Sequence, residues 1–242
     1  MIRVVVITLA VVMLAPMSAH GQATPEPLTA AEVCARYGDA AAAATPVTDP
    51  ESAGDPIDVT TLEFDLLFLD AMIPHHELAI EMAVVVRDRS ERSELLALAD
   101  AIVQTQQAEL DAMVGWRAGW YPDIPSLNQQ QLIDGMNARL SENPGMGGGA
   151  GLVDMDPAHM VDQLVMLCQA SEDLDIEFID VMVAHHSSAV ILSRESSSRA
   201  THRETMELAG AIASTQQFEI DQMLAWRADW FTGTPVPNLH GD

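Results

Sequence analysis

The sequence FDLLFLDAMIPHHELAIEMA, residues 64–83, returns in related form as LDIEFIDVMVAHHSSAVILS at residues 174–193. The match extends without gaps over residues 64–121 and 174–231, at a constant offset of 110, with 23 identities in 58 positions. Self-similarity on this scale indicates a duplicated supersecondary unit. We therefore expect two copies of one unit, with other segments around them.

Each copy is predicted to be a helical hairpin, because Ala, Leu, Met, Glu and Gln dominate both copies and favour helix. The predicted helices cover residues 58–86, 91–116, 173–194 and 200–230. A single hairpin buries its apolar face poorly, whereas two hairpins packed about a pseudo-twofold axis form a four-helix bundle. The predicted fold is therefore all-α, a four-helix bundle of two repeated hairpins with extra flanking helices.

The duplication also divides the rest of the chain. The predicted segments are a signal peptide (1–21), an N-terminal segment with a short helix (22–57), repeat 1 (58–121), a linker with a Gly-rich stretch and helices (122–172), repeat 2 (173–231) and a C-terminal tail (232–242). Flanking helices are expected near residues 30–44, 127–140 and 157–170. Residues 143–151 are predicted to be a flexible connector.

The N-terminus is typical of an export signal. An apolar core at residues 4–15 follows a positive charge, and Ala19 and Gly21 suit cleavage before Gln22. Cleavage before Thr24 fits nearly as well. The apolar core is too short for a comfortable membrane span, so no stable membrane insertion is expected after cleavage. The predicted location is periplasmic or secreted.

The charge balance excludes two classes of partner. The chain has 36 acidic residues against 11 basic ones, a net charge of −25, and no lysine. Such a surface repels phosphate backbones and anionic lipid, so binding to nucleic acid or to a membrane surface is not expected. It attracts cations, although high charge alone indicates only solubility. The sequence identifies no protein partner.

The two cysteines, Cys34 and Cys168, favour a disulfide, because an even number of cysteines in an exported protein usually pairs. Two buried thiols or two soft metal ligands are the alternatives. A bridge would join the segments that precede the two repeats.

Both copies place a His-His pair towards the predicted core. At 100° per residue, Met72, His75 and His76 share one stripe of the first helix, and Glu109 lies in the middle of the apolar stripe of the second helix. Folding the hairpin brings these groups together. A buried carboxylate is costly unless it meets a cation, a hydrogen-bonding partner or a metal. Imidazole, thioether and carboxylate groups together suit a transition metal.

The predicted metal ligands are therefore the matching residues of the two copies: Met72, His75, His76, Glu109, Met182, His185, His186 and Glu219. The simpler interpretation is that the histidines are core residues bonded to Glu109 and Glu219, and that the methionines only pack. The exact recurrence of Met, His, Glu and Gln favours the metal. Asp65 and Asp175 lie too far along the helix, and His202 has no repeat counterpart, so all three are left outside the site. Asp70, Glu77 and Glu81 are predicted to face water.

Catalytic motifs are missing from the sequence. It contains no Gly-rich phosphate loop, no nucleophile elbow and no His-Glu-x-x-His motif. An enzyme is therefore not indicated.

The motif MIPHHELAIEMA at residues 72–83, followed by Gln106, Glu109, Met113 and Trp116, resembles the bacterial exported domain-of-unknown-function 305 family. The resemblance covers residues 58–121 and 173–231. It implies a ferritin-like four-helix arrangement, with copper binding and copper tolerance in the periplasm. The second copy departs from the motif at Ala184, Ser187, Ser188 and Leu192, so equal affinity of the two copies does not follow.

Together these observations predict an exported metal-binding bundle, with copper as the expected ion and a role in storage, copper delivery or tolerance. The histidines are the expected primary ligands, and Glu109 and Glu219 are ligands or groups that orient them. A metal-free helical scaffold that binds another exported protein is one alternative. A ferritin-like metal oxidase is another.

Overall fold

The computed structural model describes residues 28–38, 57–141, 157–171 and 174–233. Its helices are α1 (Ala30–Gly38), α2 (Phe64–Arg89), α3 (Ser93–Trp120), α4 (Gln129–Ser141), α5 (Pro157–Gln169), α6 (Leu174–Arg199) and α7 (Arg203–Trp230). These ranges contain no strand, which confirms the all-α class. The predicted signal segment (1–21) and the Gly-rich connector (143–151) lie outside them.

Four long helices form the bundle. α2 pairs with α3, α6 pairs with α7, and the two hairpins meet where α2 contacts α6. These two helices run antiparallel, because Asp65 at the start of α2 binds the backbone N–H groups of Thr201 and His202 just beyond the end of α6. The short helices α1, α4 and α5 pack against α2. The predicted bundle of two hairpins with flanking helices is confirmed.

The start of α2 differs from the prediction. A 3-10 helix at Val59–Thr61 occupies the expected first turn, and α2 itself begins at Phe64. Asp58 favours this separate turn, because its carboxylate accepts a hydrogen bond from the backbone N–H of Thr60 at 3.1 Å. At the other end, Ser90 leaves the helix in an extended conformation, and its hydroxyl accepts the N–H of Arg92.

The helix α2 is buried on nearly all sides. Twenty of its 26 residues are buried, including Asp70 and Glu81. The prediction that these two carboxylates face water was therefore wrong. It treated α2 as a surface helix, whereas α1 and α4 cover its outer face. Asp70 pairs with Arg117, and Glu81 pairs with Arg36 of α1.

The helix α6 is long and apolar enough to cross a membrane by length and composition alone. However, 78% of its apolar window is buried against the other helices. A helix in the core of a bundle also has this composition, because most of its surface faces other helices and not water.

The cysteine prediction is confirmed. A disulfide joins Cys34 of α1 to Cys168 of α5, with the two Cα atoms 5.5 Å apart. Arg89, at the end of α2, donates to the carbonyl oxygens of Leu167 and Cys168 at the C-terminal end of α5. The disulfide and this arginine attach both flanking helices to the C-terminal half of α2.

The core of the bundle is divided into two apolar clusters, one towards each end. The first cluster draws mainly on the C-terminal half of α2, the N-terminal half of α3, the N-terminal half of α6 and the C-terminal end of α7. The second cluster draws mainly on the opposite half of each helix. This exchange of halves is what a pseudo-twofold axis between the hairpins produces. The middle of all four helices lies between the two clusters.

Candidate metal centre

The middle of the bundle is filled by polar side chains instead of apolar ones. We call this set the polar layer; it comprises His75, His76, Gln106, Glu109, His185, His186, Gln216 and Glu219. The four histidines are at most 1% exposed and the two glutamines are 2% exposed. Seven of the eight residues are buried and Glu109 is half-buried. Buried polar groups are normally hydrogen-bonded, so such a layer across a bundle core requires an explanation.

The second histidine of each pair is bonded to the glutamate of its own hairpin. The distance from His76 Nε2 to Glu109 Oε2 is 2.9 Å, and that from His186 Nε2 to Glu219 Oε2 is 2.7 Å. A carboxylate accepts, so Nε2 of each imidazole carries the proton when the ring is neutral. The other ring nitrogen, Nδ1, then has a free lone pair. This arrangement suits glutamates that orient histidine ligands.

The first histidines of the two pairs meet across the pseudo-twofold axis. The ring centroids of His75 and His185 are 3.6 Å apart, with an angle of 36° between the planes. His75 Nε2 lies 3.1 Å from the backbone oxygen of His185 and 3.1 Å from the hydroxyl oxygen of Ser188. Because a carbonyl oxygen only accepts, Nε2 of His75 is the donor and its Nδ1 also has a free lone pair.

Burial keeps the first histidines uncharged. Removal from water lowers the pKa of both His75 and His185 well below its usual 6.5, and the positive charges that neighbouring imidazoles would carry lower it further. Their neutral rings are therefore available to a metal at neutral pH without displacement of a proton.

Several atoms of the polar layer lack hydrogen-bond partners. In the part of the chain that the structure describes, Nδ1 of all four histidines is buried without one, and so are both amide atoms of Gln106 and Gln216. An unsatisfied buried polar group costs about 1–3 kcal/mol. A metal ion bound by imidazole nitrogens would satisfy the histidine atoms. The donor set, buried imidazoles between two apolar clusters, fits a soft or borderline transition metal.

The predicted methionine ligands lie at the boundaries of this layer. Met72 belongs to the second apolar cluster and Met182 to the first, and neither side chain is exposed to solvent. Met113 and Met223, which the sequence analysis did not include in the site, occupy the matching positions on α3 and α7. A thioether is therefore available on either side of the histidines.

The predicted ligands do not form a ready-made compact cluster. Among the described residues, the triplet of His, Cys, Asp or Glu whose ligand atoms lie within 4.8 Å of one another is Glu63, Asp65 and His202, outside the polar layer. Within the layer, the rings of His75 and His76 are 6.3 Å apart. The two imidazole rings that the fold brings closest together are those of His75 and His185.

Asp65 and His202, which were left outside the site, have a structural role. Burial raises the pKa of the Asp65 carboxyl, but hydrogen bonds from Thr201 and from the backbone N–H of His202 outweigh this effect and lower it. The imidazole of His202 stacks on Trp120 with ring centroids 3.8 Å apart. These contacts attach the first hairpin to the turn of the second.

The same contact exists at the other end of the bundle, with an arginine in place of the histidine. Arg92 binds Asp175 at 3.0 Å and lies over the ring of Trp230, 4.5 Å from its centroid. Positions 65, 120 and 92 correspond to 175, 230 and 202 at the repeat offset. Aspartate and tryptophan recur at these positions in both repeats, and this recurrence could have indicated the contacts from the sequence.

An ion pair that is repeated in both hairpins was also not predicted from the sequence. Arg117 binds Asp70, and Arg227 binds Asp180. Arg117 also donates to the carbonyl oxygens of Tyr121 and Ile124, so it holds the chain that leaves α3. Both residue types recur at the offset of 110, and this recurrence could have indicated the ion pair. The prediction that Asp70 faces water prevented that inference.

Comparison with known proteins identifies the family. Residues 65–232 match the family model described as domain of unknown function (DUF305). The chain belongs to the DUF305 family. No curated protein matches it.

Solved structures of helical proteins are similar to this chain. CopM in its Cu(II)-bound form is 30% identical, with a TM-score of 0.52, and the match covers 69% of this chain and 97% of CopM. CopM in its Cu(I)-bound form is 27% identical, with a TM-score of 0.51 and the same coverage. A DUF305 protein from Streptomyces coelicolor, described as secreted, is 25% identical over 69% of this chain and 93% of its own length, with a TM-score of 0.52.

Proposed function

We propose that this DUF305 protein is an exported copper-binding protein that holds Cu(I) in the polar layer between its two hairpins. His75, His76, His185 and His186 are the proposed primary ligands. Glu109 and Glu219 orient the second histidine of each pair. Met72 and Met182 are proposed as further ligands, since each lies one helical turn before its His-His pair. The proposed role is copper storage or tolerance.

The observation that carries this proposal is the set of four buried Nδ1 atoms without a hydrogen-bond partner among the described residues. If His76 and His186 were ordinary core residues, hydrogen bonds such as those to Glu109 and Glu219 would satisfy both nitrogens of each ring. Those bonds use only Nε2 and leave Nδ1 pointing into a buried environment. Imidazole and thioether groups are ligands that copper accepts. The copper-bound forms of CopM support the choice of this metal.

We further propose that the two repeats build one shared central site instead of two separate ones. The closest imidazoles belong to different hairpins, with ring centroids 3.6 Å apart, whereas rings within one pair are more than 6 Å apart. An ion bound by His75 and His185 would lie at the pseudo-twofold axis. The first equivalent of metal is therefore expected to bind more tightly than any later one.

The test is a Cu(I) titration of the mature, metal-stripped protein against a competing chelator. The variant changes the four histidines of the polar layer to alanine, and the control changes His159, which is exposed and lies outside it. We expect the native protein and the control to outcompete the chelator and the fourfold variant to fail while remaining helical by circular dichroism. Equal binding by native protein and fourfold variant would refute the site, and failure of the native protein to outcompete the chelator would favour a metal-free scaffold.

Export is proposed from the N-terminal sequence and from the secreted relative of Streptomyces coelicolor. Expression of the full chain in a bacterial host, followed by cell fractionation and N-terminal sequencing, tests it. The expected product lies outside the cytoplasm and begins at Gln22 or Thr24. A full-length protein in the cytoplasm would contradict the proposal.

A further inference from the structure

The two halves of the polar layer differ at one buried position. Ser188, one turn after His185, occupies the repeat position that Leu78 occupies one turn after His75. Both side chains are buried, at 2% and 6% exposure. The hydroxyl therefore breaks the symmetry between the two halves of the bundle next to the polar layer, whose own members match in pairs.

The hydrogen bonds of Ser188 fix the direction in which His75 donates. Its hydroxyl donates to the backbone oxygen of His185 at 2.7 Å, so its proton is already used. The Ser188 oxygen and that same carbonyl oxygen both lie 3.1 Å from His75 Nε2. His75 thus faces two acceptors, and the proton on Nε2 is shared between them.

His185 has no such pair of acceptors. The residue that corresponds to Ser188 on its side is Leu78, which offers only a methyl group. Among the described residues, neither ring nitrogen of His185 has a hydrogen-bond partner. The two central histidines, although equivalent in sequence, are therefore held differently.

We propose that Ser188 is a positioning residue that fixes His75 as the Nε2–H tautomer, so that His75 presents a pre-oriented Nδ1 lone pair to the metal, whereas His185 samples both tautomers until the metal binds. This inference rests on the proposed copper site. It assigns unequal roles to the two repeats: the first supplies the fixed ligand and the second supplies the adaptable one. Groups that orient a metal-bound histidine through its other ring nitrogen are worth about 10–100-fold in metal affinity.

A buried serine in a helix often bonds to a carbonyl of the preceding turn without any further role, and this chain contains such a residue. Ser196, also in α6, is fully buried and donates to the carbonyl of Leu192 at 2.9 Å. It is the matched control, because Ser196→Ala removes the same kind of bond far from the histidines.

The experiment compares native protein with Ser188→Ala, Ser188→Thr and Ser196→Ala. The first readout is the tautomer of His75 and His185 in the metal-free, ¹⁵N-histidine-labelled protein, from long-range ¹H–¹⁵N correlations. The second readout is Cu(I) affinity by competition. We expect a single Nε2–H form of His75 and a mixture for His185 in the native protein. Ser188→Ala should change the His75 tautomer ratio by roughly three- to tenfold, the effect of one hydrogen bond, and should weaken Cu(I) binding by about tenfold.

Ser188→Thr, which keeps the hydroxyl, should restore both values, and Ser196→Ala should change neither. The proposal is overturned if Ser188→Ala leaves the His75 tautomer unchanged, or if Ser196→Ala has the same effect. If none of the proteins binds Cu(I), the proposed function fails, but the tautomer measurement on metal-free protein still decides whether Ser188 positions His75.

Discussion

Substitution of Gln106 by methionine is expected to stabilise the metal-free protein, although polar-to-apolar changes are uncommon routes to stability. Gln106 is 2% exposed, and neither amide atom has a hydrogen-bond partner among the described residues. An unsatisfied buried group costs about 1–3 kcal/mol, and methionine has a similar length without that cost. We therefore expect an increase of about 2 kcal/mol in the free energy of unfolding. For a domain of this size this corresponds to a rise of roughly 4–8 °C in Tm.

The assay is urea and thermal unfolding in the presence of a chelator. The neighbouring residue provides the control: Gln107 is exposed and its amide donates to Asp111 at 2.8 Å, so Gln107→Met should change stability by less than about 0.5 kcal/mol. Gln216→Met should reproduce the gain in the second half of the bundle. A loss of stability in Gln106→Met with a neutral control would refute the reasoning, because it would show that the amide is satisfied.

Other expected outcomes follow from the same contacts. The lowered pKa of His75 and His185 means that, below pH 6.5, the unfolded chain takes up protons that the folded chain does not. The free energy of unfolding should therefore fall by up to about 1.4 kcal/mol per pH unit for each histidine as the pH is lowered. In urea unfolding from pH 7 to 5, the His75→Leu/His185→Leu variant should show a smaller dependence of this free energy on pH than the native protein does. Replacement of both cysteines by serine removes a cross-link between residues 134 positions apart and should lower the free energy of unfolding by about 2–5 kcal/mol. An unchanged midpoint in chemical unfolding would show that the disulfide does not stabilise the protein. Asp70→Ala removes the carboxylate partner of the half-buried Arg117 guanidinium and should cost about 1.5–3 kcal/mol, the range for a hydrogen bond to a charged group, against a near-neutral exposed Asp111→Ala; equal effects would contradict the role of the ion pair.

The duplication made most of the fold predictable. A match at constant spacing specified two equivalent hairpins, and two hairpins have few ways to bury their apolar faces other than a bundle. The helix ends were less predictable, because they depend on local competition. Asp58 captures the N–H of Thr60 in a separate turn, and no periodicity of apolar residues reports such a hydrogen bond.

The polar layer was only partly predictable from the sequence. The helical stripe placed His76 and Glu109 towards each other, and the structure brings them to 2.9 Å. The close approach of His75 to His185 depends on how α2 crosses α6, which a pattern within one helix does not contain. The burial of Asp70 and Glu81 was mispredicted for the same reason: their partners, Arg117 and Arg36, come from other helices.

The most direct test of the central claim is anomalous X-ray diffraction at the copper edge from crystals loaded with one equivalent of Cu(I). We expect one principal peak in the polar layer, between α2 and α6 and next to Nδ1 of His75 and His185. A principal peak elsewhere, for example beside Glu63, Asp65 and His202, with none in the polar layer, would contradict the claim.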